Sequence, residues 1–155
     1  MPLPTLSVKG KLRINGKPVD QVPVEAITSW IKKRMPEFGS EKASLTNRVL
    51  VVKSETGSGK STVLPVAILR IVRSEMTPPR FRYRGPGVMC TQPRVLTAIA
   101  LARDVSSRPW NPDIVLDKTV GYLTGPIQRK PVSGLIYATT GVLAAQILRS
   151  QAAGA

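Results

Sequence analysis

Apolar positions along the chain change their spacing several times, and each change marks an element. Val24, Ile27, Ile31 and Met35 fall at i, i+3, i+7 and i+11, a helical face bordered by Trp30. Pro23 precedes this stretch, Lys32, Lys33 and Arg34 suit its negative end, and Pro36 and Gly39 stop it. Val49-Leu50-Val51-Val52 is a short β-branched run between Arg48 and Lys53, which predicts a buried parallel strand. A glycine-rich turn and a helix from about 60 to 73 follow. Pro65 lies inside that helix, where a local kink is expected. Val88-Met89-Cys90-Thr91 predicts a second buried strand, with Met89 and Cys90 in the core. Pro93 then opens a helix to about Val105, with Val95, Leu96, Ile99 and Ala102 on its apolar face. Residues 108–113 read as a turn, 119–123 and 135–139 as extended segments, and 142–149 as a last helix. This alternation predicts an α/β domain with a mainly parallel sheet flanked by helices. Residues 1–23 read as a basic, Pro-interrupted N-terminal extension, with Asn15-Gly16 as a hairpin turn, and 24–155 as the domain proper.

Composition narrows the chemistry. The 155 residues fit one domain, and 42% are hydrophobic, enough for a core. No apolar run reaches the ~18 residues of a membrane span, and no secretory leader is evident, so a cytosol-like compartment is expected. One cysteine and no histidine exclude an internal disulfide framework and His-based acid–base catalysis, and argue against a protein-built zinc site. The net charge of +14 attracts polyanions such as nucleic acid, nucleotides or an acidic surface.

The sharpest motif is Thr56-Gly57-Ser58-Gly59-Lys60-Ser61-Thr62, between a strand and a helix. Glycines let backbone amides curl around phosphate oxygens, and the helix N-terminus adds partial positive charge beneath them. Lys60 would reach the β- and γ-phosphates of ATP, and the Ser61 hydroxyl would ligate Mg2+. Ser54 stands where the full phosphate-loop pattern has its first glycine. The plainer reading is a Gly/Ser-rich turn with a stray lysine.

Further motifs follow in order. Ser54 to Leu64 with Pro65 resembles motif I of the DEAH/DExH-box helicases of superfamily 2. Thr91 to Ala100 resembles their motif Ia, Val120-Gly121-Tyr122 their short VGY strand, and Tyr137 to Leu143 their motif Ib. Trp30-Ile31-Lys32 and Pro36-Glu37-Phe38-Gly39 are most similar to the helicases of large cytoplasmic DNA viruses of the African swine fever type. The resemblance implies an incomplete RecA-like domain that binds ATP and holds one strand of RNA or DNA. It implies that Gln92, Pro93 and Arg94 contact the strand backbone and that Thr140 and Gly141 hold a phosphate at a helix start. The plainer readings are a helix start with proline in its first turn and an N-cap. The resemblance also implies a cytoplasmic or virion-associated protein, partnered by the remainder of a helicase or by another viral protein.

Hydrolysis needs an Asp for Mg2+ and a group that orients water. The family's Asp-Glu-x-His motif supplies both, and this sequence has no Asp-Glu dipeptide and no His. The expectation is a domain that stops before motif II, with negligible ATPase of its own. Two alternatives stand beside the helicase reading. One is a non-enzymatic nucleic-acid-binding or virion remnant of a helicase. The other is a small P-loop kinase in which Ile114-Val115-Leu116-Asp117 is a strand presenting Asp117 to Mg2+, with a lid in the Arg80, Arg82, Arg84 segment, where Phe81 and Tyr83 also suit base stacking.

Overall fold

The computed structural model describes residues 5–8, 12–14, 17–19, 24–34, 49–54, 59–75, 87–125, 127–129 and 134–152. The chain divides into two units, Met1–Ala67 and Ile68–Ala155. Expectations for Met35, Pro36, Gly39, Thr56, Gly57, Ser58 and the arginines at 80, 82 and 84 lie outside the described residues.

In the first unit, β1 (Thr5–Val8) and β4 (Val51–Ser54) pair in parallel, with Leu6 opposite Val52. The strand starts two residues later than the apolar run suggested, and Val51 and Val52 are half-buried. β2 (Leu12–Ile14) and β3 (Lys17–Val19) pair antiparallel with Ile14 opposite Lys17, so the connection is the two residues Asn15-Gly16, the loop length that this dipeptide favours. Helix α1 (Val24–Arg34) buries Ile27 and carries its basic residues in the last turn, where the helix dipole favours them.

Helix α2 (Val63–Glu75) begins three residues later than expected. Pro65 therefore lies in its first turn, where the missing N–H forfeits no helical hydrogen bond. The expected kink thus loses its cause.

The second unit holds a four-stranded sheet in the order β5 (Val88–Gln92), β8 (Leu135–Thr139), β6 (Val120–Leu123), β7 (Gln128–Arg129). β8 is parallel to both neighbours, and β7 closes an antiparallel hairpin on β6. Every residue of β6 and β8 is buried, as befits strands covered on both faces. β5 is only half-buried through Val88, Met89 and Cys90, so the second strand is less enclosed than its apolar run implied. Leu123, Ile136 and Ala138 form one cluster, against which Met89 and Val142 pack. Fully burying a side chain such as Ile136 contributes roughly 1.5–3 kcal/mol.

Helix α3 (Val95–Ser107) buries Ala98, Ala102 and Val105 on the β6–β8 side of the sheet. This corrects the predicted face. Leu96 is 79% exposed, and the buried positions 98, 102 and 105 are spaced i, i+4 and i+7, with two small alanines that let the helix approach closely. Helix α4 (Thr140–Ala152) follows β8 without a break.

The strands start on a fixed platform. Buried Asn111 accepts a bond from Arg70 at 3.1 Å and donates to the Val105 carbonyl at 3.2 Å. Arg70 also pairs with Asp113 at 3.0 Å, and this guanidinium holds the Asp113 carboxyl below its ordinary range. The Thr119 carbonyl accepts from Leu135 N at 2.9 Å, and the Gly134 carbonyl accepts from Val88 N at 3.1 Å.

Asp117 corrects the Walker-type reading. Residues 114–117 form no strand, and Leu116 makes only an isolated bridge to Val120. Asp117 sits in a turn at φ 73 and is ion-paired with Arg129. It lies before β6, at the edge where strands begin, whereas nucleotides bind where parallel strands end. This geometry removes the basis of the kinase alternative.

Gly134 has φ +154, and a Cβ there would lie 2.1 Å from the Thr119 carbonyl oxygen. Gly134→Ala is expected to destabilise the chain by about 3 kcal/mol or more. Gly125→Ala, whose Cβ meets nothing within 4 Å, should stay within about 0.5 kcal/mol. Thermal unfolding of both variants checks this, and equal effects would contradict the packing described.

Candidate nucleotide and nucleic-acid interface

The phosphate-loop candidates belong to the first unit and are described from Gly59 onward. Gly59 is buried at φ 93, a conformation that L side chains rarely adopt. Its carbonyl accepts from Thr62 N at 3.3 Å and Leu64 N at 3.0 Å, which winds the chain into α2. Lys60 is exposed, and Ser61 and Thr62 are half-buried. A left-handed glycine followed by an exposed lysine and a helix start fits a phosphate cradle, because a side chain at Gly59 would strain the turn that aims the amides. If ATP binds there, Lys60 would meet its phosphates and the Ser61 hydroxyl Mg2+.

The strand-contact candidates belong to the second unit, and the sheet brings both groups together. Gln92 and Thr139 are the last register pair of β5 and β8, so both chains leave the sheet at one edge. The Thr140 hydroxyl donates a long bond to the Gln92 carbonyl at 3.4 Å, joining the two exits. Pro93, Arg94, Thr140 and Gly141 are all exposed. An added Cβ at Gly141 would meet nothing within 4 Å, so the space beside it is open.

Both exits lead into helices with unusual electrostatics. Arg94 is the N-cap of α3, extended at φ −123 and ψ 140, and makes no side-chain cap bond. Pro93 thus precedes the helix, outside the first turn in which the plainer reading put it. Neither α3 nor α4 has an acidic residue in its first turn. Helix N-termini are positive and ordinarily take an acid or a hydroxyl cap. Here one carries a cation and the other stands beside it, an arrangement that is complementary to an anion with more than one charge.

Gln92 behaves differently from its neighbours. Its side chain is half-buried and its amide donates to the Cys90 sulfur at 3.6 Å, so it points back along the strand. Burial pushes the Cys90 thiol above its ordinary pKa, and the Gln92 bond opposes this only in part. Tyr137, opposite Cys90, is likewise raised by burial. Tyr122 is 3% exposed and serves packing. Among the described residues, no cluster of three or more His, Cys, Asp or Glu is placed to hold a metal, and no helix is long and apolar enough to cross a membrane.

Sequence reading missed the exposure of Leu96 and the missing cap at Arg94. Arg at a helix start with no Asp or Glu in the next three residues was the available signal.

These features describe a mainly parallel α/β fold with a glycine-led helix start in the first unit and two exposed helix starts at strand ends in the second. No family model matches the chain, and no solved structure matches it. It is 51% identical over 146 residues, 93% of its length, to the protein named "Putative RNA Helicase B962L" of African swine fever virus. It is 32% identical over 130 residues, 81% of its length, to the DExH-box ATP-dependent RNA helicase DExH1 of Arabidopsis thaliana. The chain spans 15% of the viral relative and 12% of the plant one. The chain belongs to the DExH-box helicase family, and its α/β fold is that of a RecA-like segment.

Cys90 offers a check on the edge. Its alkylation by iodoacetamide at neutral pH should run several-fold slower than that of an unfolded cysteine, and should accelerate only above the ordinary thiol range, because the thiolate is the nucleophile. Reaction at the unfolded rate would contradict the burial of β5.

Proposed function

We propose that the chain is the ATP-phosphate- and strand-binding part of an ATP-dependent DExH-box RNA helicase. Residues Thr56, Gly57, Ser58, Gly59, Lys60, Ser61 and Thr62 cradle the triphosphate, with Ser61 on Mg2+. Pro93, Arg94, Thr140 and Gly141 hold the backbone of a single strand, and Gln92 ties the two gripping loops together from behind. The observation that carries this reading is the pair of helix starts set side by side by the Gln92–Thr139 register, one of them headed by an uncapped arginine. The family relationship and the +14 charge support it.

Contacts of this kind read phosphate and sugar, so sequence preference should be small. The chain carries no Asp-Glu dipeptide and no His, so the proposal assigns water activation to motifs it does not contain. The remainder of a helicase, or a viral partner protein, would complete the motor. A cytoplasmic or virion-associated setting is part of the same proposal. Binding to RNA over DNA is favoured by the names of the relatives, and a matched pair of RNA and DNA oligonucleotides decides it.

A binding titration against single-stranded RNA tests the assignment. Arg94→Ala should weaken binding about fivefold, equally for different base sequences, and reduce the slope of log affinity against log salt by about 0.7. Lys60→Ala should abolish binding of Mg-ATP and leave RNA affinity without nucleotide unchanged. Turnover of ATP by this chain should be negligible with or without RNA. RNA binding with no binding of Mg-ATP by either the unaltered chain or Lys60→Ala would favour a non-enzymatic nucleic-acid-binding remnant instead.

A further inference from the structure

We propose that Arg108 and Trp110 form a base-stacking platform for single-stranded nucleic acid, at the end of α3 opposite the Arg94 loop. The inference rests on the strand-binding reading above and adds a second station to it. Trp110 is 66% exposed, an unusual state for the largest amphipathic side chain. It is not a loose tip. The Arg108 guanidinium lies 5.5 Å from the ring centroid, and Asp104 holds that guanidinium at 2.9 Å. The next residue, buried Asn111, bonds the Val105 carbonyl through its side chain and the Arg108 carbonyl, at 3.0 Å, through its backbone, while Arg70 bonds Asn111 in turn. Five interactions therefore fix a turn whose effect is to hold an indole ring in water.

A ring fixed in this way loses little entropy when a flat partner stacks on it. Arg108 beside it adds a cation–π partner, the combination that single-strand binders use on bases of any sequence. Asp104 neutralises Arg108 locally, so the attraction of a polyanion comes from exposed Arg103 and Lys118 and from the +14 chain. The thirteen residues of α3 separate this turn from Arg94 by about 20 Å. A strand long enough to span this distance from Arg94 reaches the platform, and a dinucleotide held there does not.

Trp30 and Trp110 are the two tryptophans, so Trp30→Phe leaves Trp110 as the sole indole reporter. In that background, an oligouridine of about 15 nucleotides should quench Trp110 fluorescence, and one of about 2 should not. Trp110→Ala should weaken the long oligonucleotide about tenfold and leave the short one unchanged, Trp110→Phe should keep most of the affinity, and Arg94→Ala should weaken both. Long-oligonucleotide binding that depends on Arg94 but neither quenches Trp110 nor responds to Trp110→Ala would overturn the platform alone. No binding of either length would overturn the strand-binding reading and the platform with it.

Discussion

The parallel pairing of β5 with β8 sets the second unit's chemistry. It ends at Gln92 opposite Thr139, and each strand turns at once into a helix. Two positive helix starts are thereby placed together, with Arg94 at one and no carboxylate in the first turn of either. Folding alone gains nothing from that arrangement, since an acid or hydroxyl cap on α3 would stabilise its start by about 1 kcal/mol. An uncapped, cationic helix start is reasonable where a phosphate supplies the cap, and this is the physical basis of the proposed strand contact.

Rigidity at the opposite edge makes this possible. Gly134 lies so close to the Thr119 carbonyl that no side chain fits, and Asn111, Arg70 and Asp113 lock the turn that feeds β6. β8, buried along its whole length, carries the register from that platform to Thr139. The proposed strand contact then sits at the ends of strands whose beginnings are fixed, with α3 spanning the two edges. Trp110 stands exposed at that fixed edge, anchored beside Arg108.

Much of this was legible in the residues. β-branched runs and helical spacing located β4, β5, α1 and α2 to within a few residues, because burial demands those periods. Asn15-Gly16 announced a two-residue hairpin. Other features depended on tertiary context. Leu96 matched an apolar stripe, but the sheet accepts only the small face of Ala98 and Ala102. Ile114 to Asp117 has the composition of a strand, yet the left-handed Asp117 and its pairing with Arg129 make it a turn. The proposed strand-contact residues came from resemblance, and what brings Arg94 and Thr140 together is a pairing of strands whose partners, Val88 and Leu135, lie 47 residues apart, which no local pattern encodes.

The central claim concerns adjacency of two helix starts as one anion site. Backbone amide shifts, followed by NMR while a short oligouridine is added, test it most directly. The account expects the amides of residues 94–97 and 140–143 to move together, with a single affinity that falls as salt rises. Movement of one group without the other, or separate affinities for the two, would contradict it.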